Sequence, residues 1–417
     1  MKKGNPMGKI RKAFCSLLPF GAALAIFLAA PVILADAEGV PMEPLVKGNT
    51  AFAGKLYGEL RSTEGNLFFS PFSISSAMGM TYAGARQNTA REMAEVLFFQ
   101  MEPEQLPSAF RRLNCELAAN ACRAGQKLRI ANGLCLSGGD VSRDFKTLLK
   151  ENFDAELFSG GVDEINGWVR EKTEGKIEKI LEGLDPNSVC VLLNAVYFKG
   201  RWESRFRESD TRDAPFRVSP GHEVTVPFMF RKGDVSILRK PDFQAASIPY
   251  EGNTLSMVVL LPAEADGLGR LERRLTGENL EQWLEELDAS PAGETELYLP
   301  KFKLETGYDL VPPCKALGMK DAFDASGRAD FRGMGWRKGE LWISQIKHRA
   351  FVEVNEEGTE AAAATAVAMV TKAIRESPVF RADHPFLFLI RDNRTGTILF
   401  LGRIVNLADA TRSVKVP

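Results

Sequence analysis

Histidine is scarce. Three residues in 417, His222, His348 and His384, are too few for the imidazole clusters that zinc hydrolases and most acid–base sites use. Cysteine is scarce too: six residues without C-x-x-C spacing exclude a metal ribbon or a disulfide-stapled scaffold. Cys115 and Cys122 would lie two turns apart on one helix, about 10 Å, beyond the span of a disulfide. With Cys15 in the leader, the odd number that remains leaves at least one thiol free or paired between chains. No excess of charge of either sign exists, since 53 basic residues face 54 acidic ones, so there is no electrostatic case for a nucleic-acid partner. The chain has no Walker loop, Rossmann fingerprint, G-x-S-x-G elbow or H-E-x-x-H helix, which removes the common enzyme classes and with them an expected metal or cofactor. Nor does any period of about 20 to 50 residues recur, and no Gly/Ser or proline-rich linker divides the chain.

What is present starts with Lys2, Lys3, Lys9, Arg11 and Lys12 ahead of a largely apolar run from Ala13 to Ala35. These are the n-region and h-region of an export signal, and Ala35-Asp36-Ala37 supplies the cleavage pattern. Residues 1–37 are expected to be removed and 38–417 to fold as a single domain, monomeric and mildly acidic, outside the cytoplasm in the periplasm or medium. An uncleaved anchor is the alternative, because the 23 residues 13–35 could cross a bilayer. The lysine-rich n-region and sparse cysteines are of a bacterial kind.

Asn49 can cap an apolar-periodic stretch through Phe52, Leu56, Tyr57 and Leu60, and Ser73 to Phe99 has further helical spacing. Strand patterns follow at 128–136, 189–198, 224–230, 256–261, 296–302, 341–354, 386–390 and 397–404. Val189–Phe198 is apolar at almost every position, which predicts a strand covered on both faces. The class is α+β, a central sheet under helices. His222 reads as a turn residue, and His348 and His384 as strand-associated structural residues. The sequon Asn393-Arg394-Thr395 sits in a predicted hairpin turn and carries little weight. Arg111, Arg112, Arg123, Lys127 and Arg129 are a loose basic scatter, better read as a solvated face than as a site for a polyanionic cofactor such as a glycosaminoglycan.

The most unusual stretch is Gly358 to Thr371, small, nearly uncharged and free of proline, after a strong strand pattern. Alanine favours helix and the threonines and valines tolerate strand, so the segment is conformationally ambivalent. Read with period two, Thr359, Ala361, Ala363 and Thr365 share one face, and all are small enough to slide under a cover. A plain surface helix is the other reading.

From Asn49 to Asn406 the sequence resembles the serpin family. The resemblance rests on Asn66-Leu67-Phe68-Phe69-Ser70-Pro71-Phe72-Ser73, Asn194-Ala195-Val196-Tyr197-Phe198-Lys199-Gly200-Arg201-Trp202, Leu299-Pro300-Lys301-Phe302, the hinge-like run Glu356 to Thr365, and Phe380 to Phe388. It implies three β-sheets, eight or nine helices and a reactive-centre loop at about 356–380. The loop would be cut by a target serine protease and inserted into the main sheet before the acyl-enzyme hydrolyses. The hinge would be Glu356, Gly358, Thr359, Ala361, Ala362, Ala363, Ala364 and Thr365. Ser70, Ser73, Asn194 and His348 would form a polar shutter beneath the sheet. Glu356, Lys301 and Trp202 would meet at its upper end, the breach. In most inhibitory members the scissile residue is the seventeenth from the hinge glutamate, which gives Lys372–Ala373 and a trypsin-like target, with Arg375 as the rival. A serpin-fold binding protein that does not inhibit is the alternative, and the small hinge residues favour inhibition. Two departures stand out: only Ser159 to Glu164 precede the helix that should cover the main sheet, which is expected to start late, and Pro312-Pro313 interrupts a stretch expected to enter a helix.

Overall fold

The computed structural model describes residues 39–123, 125–184, 188–359, 377–408 and 414–415. The expected leader, residues 1–37, lies outside them, as do Ala361, Ala362, Ala363, Ala364, Thr365, Lys372, Ala373 and Arg375. Residues from Val40 onward form one compact unit.

Nine α-helices occur among the described residues: α1 (Glu43–Leu60), α2 (Pro71–Gly84), α3 (Gln87–Leu97), α4 (Leu106–Arg123), α5 (Arg143–Phe153), α6 (Val162–Lys172), α7 (Leu268–Arg274), α8 (Gly277–Asp288) and α9 (Val311–Ala316). Their starts follow local chemistry. Ser70 in extended conformation accepts the Ser73 amide, with Pro71 opening α2; Ser142 caps α5 and Thr276 caps α8 in the same way. In α9 the two prolines occupy the first turn, which tolerates them. The expectation for Asn49 is corrected: α1 begins six residues earlier, with Pro44 in its first turn, and Asn49 is an interior residue, 2% exposed. Gly48, inside α1, sits where a Cβ would come within 2.3 Å of the Phe98 carbonyl oxygen, a packing reason for a poor helix former there.

The main sheet runs in the order β16 (Val414–Lys415), β10 (Phe302–Asp309), β11 (Ile343–Val354), β4 (Cys190–Arg201), β2 (Lys127–Leu136) and β3 (Glu156–Phe158), with β12 (Gly358–Thr359) paired to β4. A nine-stranded assembly holds β1 (Leu67–Phe69), β15 (Ile398–Ile404), β14 (Phe386–Asp392), β8 (Leu255–Pro262), β7 (Phe243–Pro249), β6 (His222–Arg239), β9 (Ala292–Pro300) and β13 (Val379–Arg381), with β5 (Arg212–Ser219) on β6. Two sheets share it, because the early part of β6 pairs with β5 and residues Ser236 to Arg239 pair with β7. With the main sheet that makes three. β8, β14 and β15 are buried at every position, so each is covered on both faces.

Three strand expectations need correction. The strand expected at 296–302 is two: β9 ends at Pro300, which has no amide to extend a ladder, and beyond Lys301 the chain enters the main sheet as β10. His222 begins β6 rather than lying in the turn before it. Several strands went unread, among them the short β1 and β3, β5, where Pro215 interrupts the pattern, and β7, where Ala245 and Ala246 weaken it.

Most apolar residues form one core between the sheets and helices. A second, small core lies beneath α6 on the main sheet, built from Ile165, Val169, Ile177, Ile180 and Leu181 against Val191, Leu193, Ala195, Tyr197 and Phe351. The short connection before α6 suffices: Gly161, at φ 86°, turns the chain and the helix starts at Val162.

Candidate functional site

β4 and β11 are the central pair of the main sheet and run parallel, from Cys190 opposite Ile343 to Tyr197 opposite Phe351. Above that level their pairing stops. There β12 takes the free edge of β4 in the opposite direction, with Gly358 opposite Arg201 and Thr359 opposite Gly200. The turn that delivers it is tight: the Asn355 amide donates to the Gly358 carbonyl at 2.8 Å, and the Trp202 amide donates to the Glu357 carbonyl at 2.8 Å. Gly358 has φ 149°, and a Cβ there would lie 2.0 Å from the Gly200 carbonyl oxygen, so only glycine lets the two backbones approach.

At this upper end Lys301 Nζ lies 2.7 and 3.0 Å from the two carboxylate oxygens of Glu356, and Thr211 Oγ1 donates to the same carboxylate at 2.8 Å. Glu356 is 5% exposed. Burial raises its pKa, but the hydrogen bonds from Lys301 and Thr211 outweigh that and hold it below the usual carboxylate value. Trp202 is buried, stacks on Tyr250 with ring centroids 4.6 Å apart, and donates from Nε1 to the Asn355 carbonyl at 2.9 Å. Glu356, Lys301 and Trp202 are therefore brought together, and Thr211 and Asn355 join them unannounced by any sequence pattern.

Lower on the same seam, His348 Nδ1 is 2.6 Å from Asn194 Oδ1, and His348 Nε2 accepts the Ser70 amide at 3.2 Å. The imidazole is thus neutral with its proton on Nδ1; burial first, and the nearby Arg349 charge second, push its pKa down to about 3. Asn194 Nδ2 donates to Ser73 Oγ at 2.5 Å and to Asn132 Oδ1 at 2.8 Å. Asn132 is the residue that sequence reasoning missed. It stands opposite Asn194 in the β2–β4 register and donates to Ser76 Oγ at 3.3 Å, so a polar row crosses three adjacent strands and is tied to α2. A buried amide inside the apolar run 128–136 was the available signal.

A bracket covers the seam. Asn166 Oδ1 accepts the amides of Ile180 and Leu181 at 2.9 and 3.1 Å and its Nδ2 donates to the Leu181 carbonyl at 2.8 Å, tying α6 to the segment that follows it. The ring of Phe351, beside Tyr197, carries Lys176 Nζ at 5.6 Å and Lys303 Nζ at 5.3 Å from its centroid.

The remaining candidates have structural duties. His384 links Asp383 and the Pro262 carbonyl. Asn393 in the β14–β15 turn donates its Nδ2 to the Asn253 carbonyl. Cys115, Cys122, Cys135, Cys190 and Cys314 are all free thiols, and burial pushes the thiol of Cys314 up to about 12 and that of Cys190 up as well, which makes both inert. Lys127 and Arg129 both face Glu174, at 2.8 and 3.6 Å. Among the described residues no group of three His, Cys, Asp or Glu side chains could hold a metal, and no helix is long and apolar enough to cross a membrane.

A sheet whose central strands are paired below and parted above, with a hinge already starting an antiparallel strand in the gap, is built to accept one more strand. The family model for Serpin (serine protease inhibitor) matches residues 47–407. The chain is 42% identical to the leukocyte elastase inhibitor of Bos taurus over 87% of this chain and 99% of that one. It is 39% identical to an uncharacterized serpin-like protein of Thermococcus kodakarensis, over 88% of this chain and 87% of that one. In structure it resembles tengpin, a thermophilic serpin in its native state, with a TM-score of 0.79 and 29% identity over 87% of this chain and 94% of that one. The chain belongs to the serpin family.

Proposed function

We propose that the protein is a secreted suicide-substrate inhibitor of trypsin-like serine proteases, acting as a monomer through cleavage at Lys372–Ala373. The observation that carries this reading is the pairing of β12 with β4. Extending its register down β4 would set Thr365 opposite Asn194 and residue 369 opposite Cys190, so that one inserted segment of strand length would match the whole of β4. Residues directly opposite share a face. In the inserted state Thr359, Ala361, Ala363 and Thr365 would face inward with Asn194, and Glu360 would face outward. The small residues thus meet the packed side of the sheet and the charge does not.

The chemistry belongs to the protease. Its serine oxygen forms an ester with the Lys372 carbonyl carbon while the bond to the Ala373 nitrogen breaks and the new amine leaves. Insertion then adds roughly a dozen ladder bonds at about 1 kcal/mol net each, comparable to the stability of a whole domain. Ser70, Ser73, Asn194 and His348 act as the shutter that insertion must part, and Glu356, Lys301 and Trp202 as the breach where it starts. Lys372 supports the trypsin-like target, because a basic side chain fits a pocket floored by a carboxylate; the Bos taurus relative is named for elastase, so the bait residue rather than the kinship carries specificity here. Arg375 would serve the same class. Residues 1–37 support export.

The test is incubation with trypsin-like, chymotrypsin-like, elastase-like and subtilisin-like proteases. A denaturant-resistant complex with the trypsin-like enzyme and a released fragment starting at Ala373 are expected; a fragment starting at Glu376 moves the bond to Arg375. Inhibition that survives Lys372→Glu combined with Arg375→Glu removes the trypsin-like assignment.

A further inference from the structure

At the end of the nine-stranded assembly three strands present a face to solvent. β13 pairs with β9 and β9 with β6, so Val379 stands opposite Glu296 and Arg381 opposite Tyr298, while Lys232 and Phe230 meet those two partners from β6. Residues opposite one another share a face, and alternate residues return to it. Lys232, Glu296 and Val379 therefore form one row, and Phe230, Tyr298 and Arg381 the next. The other side of the same strands is closed, with Leu297 and Phe380 0% exposed. The outward side is open: Val379, 50% exposed, is the one large hydrophobic left exposed among the described residues. The rings of Phe230 and Tyr298 lie 4.8 Å apart, and the Arg381 guanidinium carbon sits 3.7 Å from the centre of the Tyr298 ring.

Arg381 makes no ion pair among the described residues, whereas the neighbouring Lys232 has Glu294 at 3.3 Å. Stacking on Tyr298 uses the flat side of the guanidinium and leaves its in-plane N–H groups free for a carboxylate, aimed before any partner arrives. Arginine and tyrosine around a small apolar contact are the composition of an interface centre. Chain continuity says what meets it. The Glu296 amide donates to the Pro378 carbonyl at 2.8 Å, so the chain is fixed to this sheet from Pro378 onward. The path from Ala373 to Pro378 spans at most about 18 Å. A protease of even about 150 residues has a radius of gyration of about 15 Å, and so a breadth of roughly 40 Å. A body of that breadth on that tether rests against the sheet.

We propose that Phe230, Tyr298, Val379 and Arg381 are a docking surface for the protease held on the loop, with Arg381 taking a carboxylate on the rim of the enzyme's cleft. The claim deepens the reading of Lys372 as bait and rests on it. The bait selects a class of protease by the side chain that enters its pocket; this surface selects among members of that class by what stands beside the pocket. A rim charge acts on the rate of encounter more than on the rate of escape, so Arg381 sets how fast the target is caught.

The probes are trypsin-like proteases whose active-site serine is replaced by alanine, which bind the intact loop without forming the ester. Association and dissociation rates are measured at low and high ionic strength for the wild type, Arg381→Glu, Val379→Glu and Lys372→Glu. Arg381→Glu is expected to slow association at least about tenfold at low ionic strength and to lose the decline with salt that the wild type shows. Val379→Glu, which sets a carboxylate beside the guanidinium on the same face, should act in the same direction. Lys372→Glu should abolish binding. Association of Arg381→Glu and Val379→Glu at the wild-type rate, with binding lost in Lys372→Glu, overturns the docking surface and leaves the bait in place. Slow association of Arg381→Glu with no effect of Lys372→Glu keeps the surface and removes the bait. A wild type that binds none of the probes overturns both. Should Arg381→Glu fail to fold, Val379→Glu, at an exposed position, decides alone.

Discussion

Lowering the pH should loosen the seam through one residue, His348. Its two ring nitrogens are both committed, Nδ1 to Asn194 Oδ1 at 2.6 Å and Nε2 to the Ser70 amide at 3.2 Å. Protonating Nε2 would set two donors against each other in a site 1% exposed. Burial and the Arg349 charge accordingly hold the folded pKa at about 3, while an unfolded imidazole titrates near about 6.5. Because the folded value is depressed, the unfolded chain binds more protons between these limits. The contribution to stability is complete above pH of about 6.5 and declines as the pH falls toward the folded value. At about 1.4 kcal/mol per unit, a drop to pH 4.5 costs on the order of 3 kcal/mol. With an unfolding entropy of about 2.1 cal/mol/K per residue over roughly 380 residues, that shifts the melting temperature by about 3 to 4 °C. The assay is the melting temperature of the wild type and of His348→Gln from pH 7.5 to 4.5. Glu356 and Asp383, both held below their usual values, lose stability on the acid side in either protein, so the difference between the two profiles isolates His348. The wild type should fall more steeply by about that amount. Parallel profiles would refute the assignment of a neutral, doubly bonded imidazole.

Glu356→Lys removes the Lys301 pair, strands Thr211 and puts like charges where the hinge enters; a loss of about 2 kcal/mol and polymer formation on mild warming are expected by light scattering. A monomer that stays inhibitory after heating would contradict it. Asn194→Leu leaves His348 Nδ1 and Asn132 Oδ1 without their partner and should cost about 3 kcal/mol in urea titration. Asn132→Leu should cost nearer 1 kcal/mol, because the Asn194 amide keeps Ser73; equal losses would show that the polar row is not centred on Asn194. Gly358→Val forces a Cβ onto the Gly200 carbonyl and should detach β12, turning inhibitor into substrate. The moles of protein consumed per mole of protease inactivated should then rise at least about tenfold, a barrier change of about 1.4 kcal/mol, and an unchanged ratio would sever the link between the first strand pairs and trapping.

Much of this protein was legible along the chain because the information is local. The apolar run at 190–198 could only be a strand covered on both faces, and the serine and proline at Ser70-Pro71 start a helix by direct bonding to their own neighbours. The run of small residues after Gly358 stood out on its own, and the resemblance to the serpin family, carried by the motifs around them, named His348, Asn194, Ser70 and Ser73 before any contact was known. Pairing was a different matter. Asn132 entered the polar row only through its register opposite Asn194, 62 residues away. Thr211 reaches Glu356 across 145 residues, and Thr306 and Gly307 gain an outer neighbour from the end of the chain. Asn49 was misread as a cap for the converse reason, since burial in the packed core decides its position and not the backbone amides beside it. Caps, turns and two-faced burial are set by residues within a turn or two of each other, so the amino-acid order determines them. Register across a sheet, the partner of a buried amide and the strand that closes an edge depend on which distant segments meet, and only the tertiary structure decides that.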